Sequence, residues 1–277
     1  MGRIVRKIIY VSIFALLLQV NLANAGATGS EELKAKKSDT ASECFEGFSR
    51  AMFSLNRGLD KAIFEPVAKG YRALPVPIRK GTGNVVDNLR SLLTLSNNIL
   101  QGDFSRAGTT AARFGINTTA GILGIFDPAT KLGFEDLGKE DFGQTLGAWG
   151  ADSGCYFVLP ILGPTTTRDA VGLVGNVFID PVYQITHNTE IDNGIIGNSS
   201  YSEHNYYYYR STGAVDFRAK NIESWDSLEE NSIDLYASLK SLYLQNRKQK
   251  IANSASAVKT QDDSDWEEID TNLFSKK

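Results

Sequence analysis

The segment Glu140-Asp141-Phe142-Gly143-Gln144-Thr145-Leu146-Gly147-Ala148-Trp149-Gly150 most restricts what this chain can become, together with Leu159-Pro160 and Gly163-Pro164 just beyond it. Glycines interleaved with aromatic, amide and acidic side chains suit a shaped surface with close backbone approaches better than a regular helix or strand. Residues 127–163 are accordingly read as loop-rich, with Tyr156 to Leu159 as a short strand.

Helical periodicity surrounds this region. Phe48, Met52, Leu55, Leu59 and Ile63 recur at steps of four and three, predicting an amphipathic helix that seats in a core or a membrane and ends at Glu65-Pro66. A Pro-kinked stretch, Leu74 to Ile78, leads to a second helix carrying Val85, Val86, Leu89, Leu92 and Leu93, and a third runs from about Phe104 to Asn117. In the third, Gly108, Ala112 and Gly115 have the spacing of close helix contacts, though ordinary packing explains the pattern as well. Thr167 reads as the N-cap of a helix ending near Asp180-Pro181, and a long helical pattern returns over Phe217 to Arg247.

The 277 residues suffice for a sizeable core. Arg3, Arg6 and Lys7, the apolar run Ile8 to Val20 and the site Ala23-Asn24-Ala25 predict a secretory signal over 1–25. That run spans only about 20 Å as a helix, short of the roughly 30 Å of bilayer hydrocarbon, and no later segment has the character of a transmembrane helix. Residues 26–44 read as a flexible tether, 45–253 as the folded domain, 186–211 as an exposed Asn- and Tyr-rich loop within it, and 254–277 as a disordered acidic tail.

Chemistry is largely excluded. The net charge of −3 disfavours nucleic acid. His187 and His204 lack ligand spacing, Gly150-Ala151-Asp152-Ser153-Gly154 misplaces the serine of a nucleophile elbow, and Lys80-Gly81-Thr82-Gly83-Asn84 is not a phosphate loop; no catalytic residue, metal or cofactor is expected. Glu135, Asp136, Glu140 and Asp141 read as a solvated face or helix caps rather than a cation site. Cys44 and Cys155 are read as buried free thiols, with a single disulfide as the alternative.

The opening segment resembles the MlaA/VacJ family of outer-membrane phospholipid-transport proteins, as do Glu46-Gly47-Phe48, Arg50-Ala51-Met52-Phe53, Leu100-Gln101-Gly102 and Arg113-Phe114-Gly115-Ile116-Asn117-Thr118-Thr119. The resemblance implies a mainly α, ring-like helical domain in the inner leaflet of the outer membrane, with an amphipathic channel for phospholipids and no covalent chemistry. It also implies a periplasmic lipid carrier serving an inner-membrane ATP-driven transporter, and association with porin trimers. Under it, Phe142, Gln144, Thr145, Leu146, Gly147, Trp149, Gly150, Asn117 and Thr118 are candidates for the lipid path. Arg72, Arg113 and Arg168 are candidate headgroup contacts, their alternative role being to pair with carboxylates such as Asp60, Asp127 and Asp169. Leu22-Ala23-Asn24-Ala25-Gly26 lacks the cysteine that ends the signal of typical, lipidated members. A surface-associated factor in intracellular spreading is the second functional expectation.

Overall fold

The structure, a computed structural model, describes residues 41–187 and 204–252. The signal, residues 26–40 of the tether, most of the Asn/Tyr-rich loop and the acidic tail lie outside them. The architecture is mainly helical with a small sheet.

The described residues open with β1 (Ser42–Glu43), so the predicted tether already carries regular structure before its end. Helix α1 (Glu46–Leu59), a π-helical turn (Asp60–Phe64) and α2 (Glu65–Arg72) follow as one run. The expected stop at Glu65-Pro66 is absent for a local reason. Within the π turn the Glu65 N–H bonds to the Asp60 carbonyl, shifting the hydrogen-bond register just ahead of Pro66, which falls in the first turn of α2 where no N–H is needed. The five-residue stripe is not one core face: Met52 packs on the core, Leu59 is half-buried, and Phe48, Leu55 and Ile63 are exposed.

Helix α3 (Val76–Leu100) begins directly after Pro75, without the expected separate kinked lead. It packs against α4 (Phe104–Thr119), which Asp103 caps by accepting from the Arg106 N–H at 3.0 Å. Gly108 and Gly115 have nothing within 4 Å of a would-be Cβ, so ordinary packing describes α4. The short α5 (Pro128–Lys131) and α6 (Phe142–Ala148) follow. The glycine-rich segment thus contains a helix after all, because Asp141 caps it: its carboxylate accepts the Gln144 N–H at 3.0 Å while the Gln144 amide donates back to the same group at 3.0 Å.

Strands β2 (Cys155–Leu159) and β3 (Gly163–Thr166) pair antiparallel, and β1 adds parallel to β2 with Ser42 opposite Cys155. Helix α7 (Thr167–Ile179) is capped by Thr166, one residue before the expected Thr167, and ends at Asp180 as anticipated; α8 (Pro181–His187) follows. Helix α9 (His204–Lys220) absorbs the four tyrosines read as loop, with Tyr206 packed edge-on against Tyr183 at 5.1 Å. The expected C-terminal helix is a pair, α10 (Ile222–Asn231) and α11 (Leu235–Ala252). The close helix approach lies between α6 and α7, where a Cβ on Gly172 would stand 2.4 Å from the Gly143 nitrogen and one on Gly175 2.2 Å from the Phe142 ring.

Two small apolar clusters form among the described residues. Ala68, Ala219, Ile222 and Tyr71 join α2 to α9 and α10; Tyr156, Val158 and Tyr236, with Met52, Phe53 and Tyr243, join the sheet to α1 and α11.

Cys44 and Cys155 form a disulfide, correcting the expectation of buried free thiols; the parallel register beside them sets their Cα atoms 5.5 Å apart. The bond closes a loop of 111 residues, for which chain entropy suggests about 4–5 kcal/mol. Reduction, or a Cys44→Ser/Cys155→Ser double variant, should therefore lower the melting temperature by roughly 10 °C. Calorimetry with and without reductant checks this, and an unchanged melting point would contradict it.

Candidate functional site

Helix α3 carries polar side chains at helical spacing, and the fold turns them inward. Asn88, Thr94, Asn97 and Asn98 are all buried. Thr145, fully buried, donates its hydroxyl to Asn97 Oδ1 at 2.7 Å, and the Gln101 amide donates to both Thr145 Oγ1 and Glu140 Oε2 at 3.1 Å. Burial raises the Glu140 carboxyl above its ordinary range, outweighing the Gln101 hydrogen bond and the charge of Arg106, which stands 3.5 Å away.

Between α3, α4 and residues 127–139 lies a cavity of about 80 Å³. Asn84, Asn88, Ser91 and Thr94 face it from α3, and Thr110, Arg113 and Asn117 from α4, each set repeating with the helical period. Arg113 pairs with Asp127 at 3.1 Å, and Asn117 donates to the same carboxylate at 2.9 Å. Lys139 lies 3.1 Å from Asp87 and 3.4 Å from Asp136.

The remaining candidates are dispersed. Thr118 accepts from Asn88 at 2.9 Å, and so stands behind the cavity wall. Phe142 and Gln144 are buried, and Leu146 is half-buried. Trp149 is exposed, donates its indole N–H to the Leu100 carbonyl at 3.0 Å and meets Phe142 edge-on. A Cβ on Gly147 would press on the movable end of Ile251, whereas Gly150 adopts φ +92° in open space. Of the three arginines, Arg72 pairs with Glu223, Arg113 with Asp127 and Arg168 with Asp169 at 3.1 Å, the pairing alternative in each case; Asp60 instead holds Arg218. Only Arg113 faces the cavity.

Sequence reading gave Arg247 no role. From α11 its guanidinium holds Asp141 through both terminal nitrogens, at 2.6 and 3.0 Å, and Asp169 at 2.7 Å, while Tyr243 donates to Asp169 at 2.5 Å. The helix cap of α6, the first turn of α7 and the C-terminal helix thus share one ionic knot. Burial pushes the Asp141 carboxyl up, but the hydrogen bonds and charge of Arg247 prevail and hold it at about 2.

Among the described buried residues of the molecule, polar side chains outnumber apolar ones. Amides, hydroxyls and ion pairs occupy its interior, while large apolar side chains crowd its surface: Ile122, Leu123 and Phe126 on one loop, Ile161 and Leu162 on another, and Val171, Val174 and Phe178 on the outer face of α7. Three of these, Ile122, Leu123 and Ile161, have positive φ, a costly conformation for bulky L residues. No helix among the described residues is long and apolar enough to cross a membrane.

A mainly helical protein with many buried polar groups and exposed apolar loops is the class these features define. The profile of the MlaA lipoprotein family matches residues 41–250, and the chain belongs to that family. It is 29% identical over 253 residues to the intermembrane phospholipid transport system lipoprotein MlaA of Haemophilus influenzae, covering 86% of this chain and 88% of that protein. Against an uncharacterized protein of Rickettsia prowazekii identity is 38% over 146 residues, 52% of this chain, and the match spans only 58% of that relative's length. A solved structure described as the structural basis for maintenance of bacterial outer membrane lipid asymmetry superposes with a TM-score of 0.64 at 28% identity, covering 76% of this chain and 99% of that one.

Two outcomes test the ionic knot. Replacing Arg247 with Met strands Asp141 and leaves Asp169 to Arg168 and Tyr243 alone, and should cost about 3–5 kcal/mol in urea unfolding, with Arg247→Lys recovering part of it; a loss below 1 kcal/mol would refute the knot's role. Because the folded Asp141 value is depressed, its contribution is complete above the unfolded value near 4 and disappears as pH falls through about 2. Acid titration followed by circular dichroism should show on the order of 2 kcal/mol lost between pH 4 and 2, and a shallower loss in Asp141→Asn.

Proposed function

We propose that this chain is the outer-membrane component of an intermembrane phospholipid transport system. It rests in the inner leaflet on its exposed apolar loops and helix faces, admits phospholipids displaced from the outer leaflet into an amphipathic channel, and passes them to a periplasmic carrier that feeds an inner-membrane ATP-driven transporter. Porin trimers are its expected neighbours, and no covalent step is required. Residues 1–25 direct export, and 26–40 link that signal to the fold.

The observation that carries this reading is the set of large apolar side chains left exposed beside many buried polar groups. Water does not favour a surface holding Leu123 at 71%, Ile161 at 68% and Leu162 at 67% exposure. A bilayer does, and the buried polar groups then border the route a headgroup needs through an apolar medium. Among the path candidates, Asn117 lies on the cavity wall beside Arg113, whereas Phe142, Gln144 and Thr145 are buried in α6 away from its lining. Trp149, Leu146, Gly147 and Gly150 would border the path near the end of α6, and Thr118 would steady it through Asn88.

The test is a pair of loop variants, Ile122→Asp/Leu123→Asp and Ile161→Asp/Leu162→Asp. Each removes two side chains worth about 1.5–3 kcal/mol apiece when buried in lipid, so affinity for phospholipid vesicles in flotation should fall on the order of a hundredfold while circular dichroism stays unchanged. The same variants should fail to restore outer-leaflet lipid asymmetry in a deletion strain. Normal flotation and normal complementation would defeat the proposal.

A further inference from the structure

Helix α11 ends at Ala252, and residues 253–277 follow it in the sequence. That segment is acidic, with Asp262, Asp263, Asp265, Glu267, Glu268 and Asp270 close together, but its apolar residues are not scattered. Ser264-Asp265-Trp266-Glu267 has the spacing of a capping box, and Trp266, Ile269, Leu273 and Phe274 then fall at i, i+3, i+7 and i+8, one face of a helix. Asp265 and Glu267 stand in the first turn of this pattern and Lys276 and Lys277 beyond its last, the order a helix dipole favours. A helix of about eleven residues is marginal alone in water, so the stripe needs a surface against which to form.

The end of α11 adjoins such a surface. Ile251 lies on α6, where a Cβ on Gly147 would stand 2.8 Å from its side chain. Two residues beyond Gly147, Trp149 donates its indole N–H to the Leu100 carbonyl, which sets the ring at the turn from α3 to α4. Leu100, Phe104 and Trp149 are all exposed there, Phe104 at 72%. Carboxylates are costly to draw into hydrocarbon, and the first of them comes soon after Ala252, so the patch at their root faces water, where exposed apolar area calls for a cover. The small, polar stretch Asn253 to Ala257 suits the reversal of direction that would bring the stripe back.

We propose that residues 264–274 dock on the body of their own chain as a short amphipathic helix, laying the Trp266, Ile269, Leu273 and Phe274 stripe over Leu100, Phe104 and Trp149. The docking stands apart from the transport reading. Its consequence, that the segment covers the water-facing end of the lipid path, rests on that reading, which sets Trp149 at the path's border.

Hydrogen exchange on the purified full-length chain, in detergent micelles and again in lipid nanodiscs, tests the docking. Amides 266–274 should be protected in both, and Phe104→Ser, which alters only an exposed side chain and leaves the segment itself unchanged, should speed their exchange about tenfold, the scale of one buried aromatic anchor. In a second arm, Trp266→p-benzoylphenylalanine should photo-cross-link within the chain to residues 99–104 or 147–151, with a yield unaffected by tenfold dilution. Unprotected amides, or cross-links mapping elsewhere, overturn the proposal. Protection in nanodiscs alone would make lipid the occupant, and cross-linking that falls on dilution would make it a second copy; either overturns docking within the chain. Phospholipid transfer to acceptor vesicles should quicken severalfold in Phe104→Ser, and an unchanged rate after loss of protection overturns the covering role. No transfer by any form would instead count against the transport reading itself.

Discussion

The interior of this protein is governed by the need to satisfy the polar face of α3. A buried amide or hydroxyl without a partner costs about 1–3 kcal/mol, so Asn88, Thr94, Asn97 and Gln101 tolerate few neighbours. They obtain them from Thr118, from the backbone of Glu140, from Thr145 and from the Glu140 carboxylate. Because these bonds are directional, they fix where α4 and α6 can lie in a way that apolar packing would not. The consequence reaches the surface: with polar groups claiming the inside, the large apolar residues are left to face outward.

A fold with so few buried hydrophobic residues requires other ties, and they come from the ends of the described chain. The Cys44–Cys155 bond fixes β1 to the sheet, and Glu43 on the same strand receives the Tyr236 hydroxyl and pairs with Lys240 of α11. At the far end of α11, Arg247 closes on Asp141 and Asp169, while Arg50 of α1 reaches Asp234 just before that helix. The C-terminal helix is thereby held along its length by charge. Ion pairs of this kind add little as isolated surface contacts, but breaking a buried one leaves an uncompensated charge, and the penalty confers cooperativity.

Much of this was legible where local rules act alone. The α4 pattern, strand β2, the end of α7 at Asp180 and the resemblance carried by the 140–150 segment all follow from short-range spacing. Pro66 misled because a π turn upstream changed the register that proline normally breaks. The α6 cap was hidden by its glycines, although Asp141 and Gln144 stand at capping-box spacing. The polar stripe Asn84, Asn88, Ser91 and Thr94 is equally regular in the sequence, but the apolar periodicity of α3 marks its other face. Arg247 and the Cys44–Cys155 pair had no local signal, since each depends on elements brought together from more than seventy residues apart.

The strained loop tips link fold to function. A chain that only needed to turn at 122–123 or 161 would meet less resistance with glycine, since bulky L residues at positive φ cost on the order of 1–3 kcal/mol each. Here the strain is held in place by specific partners. Asn56 donates to the Leu159 carbonyl and accepts the Ile161 N–H at 2.7 Å, and the Leu123 and Gly124 N–H groups bond to the carbonyls of Thr118 and Asn117 at the end of α4. The second clamp grows from the cavity wall, because Asn117 both receives that loop and binds Asp127. Apolar tips that are strained, exposed and anchored in the polar interior are difficult to reconcile with a protein surrounded by water on all sides. They fit the lipid-facing surface proposed above, and their attachment to the cavity wall sets apolar tips beside polar groups.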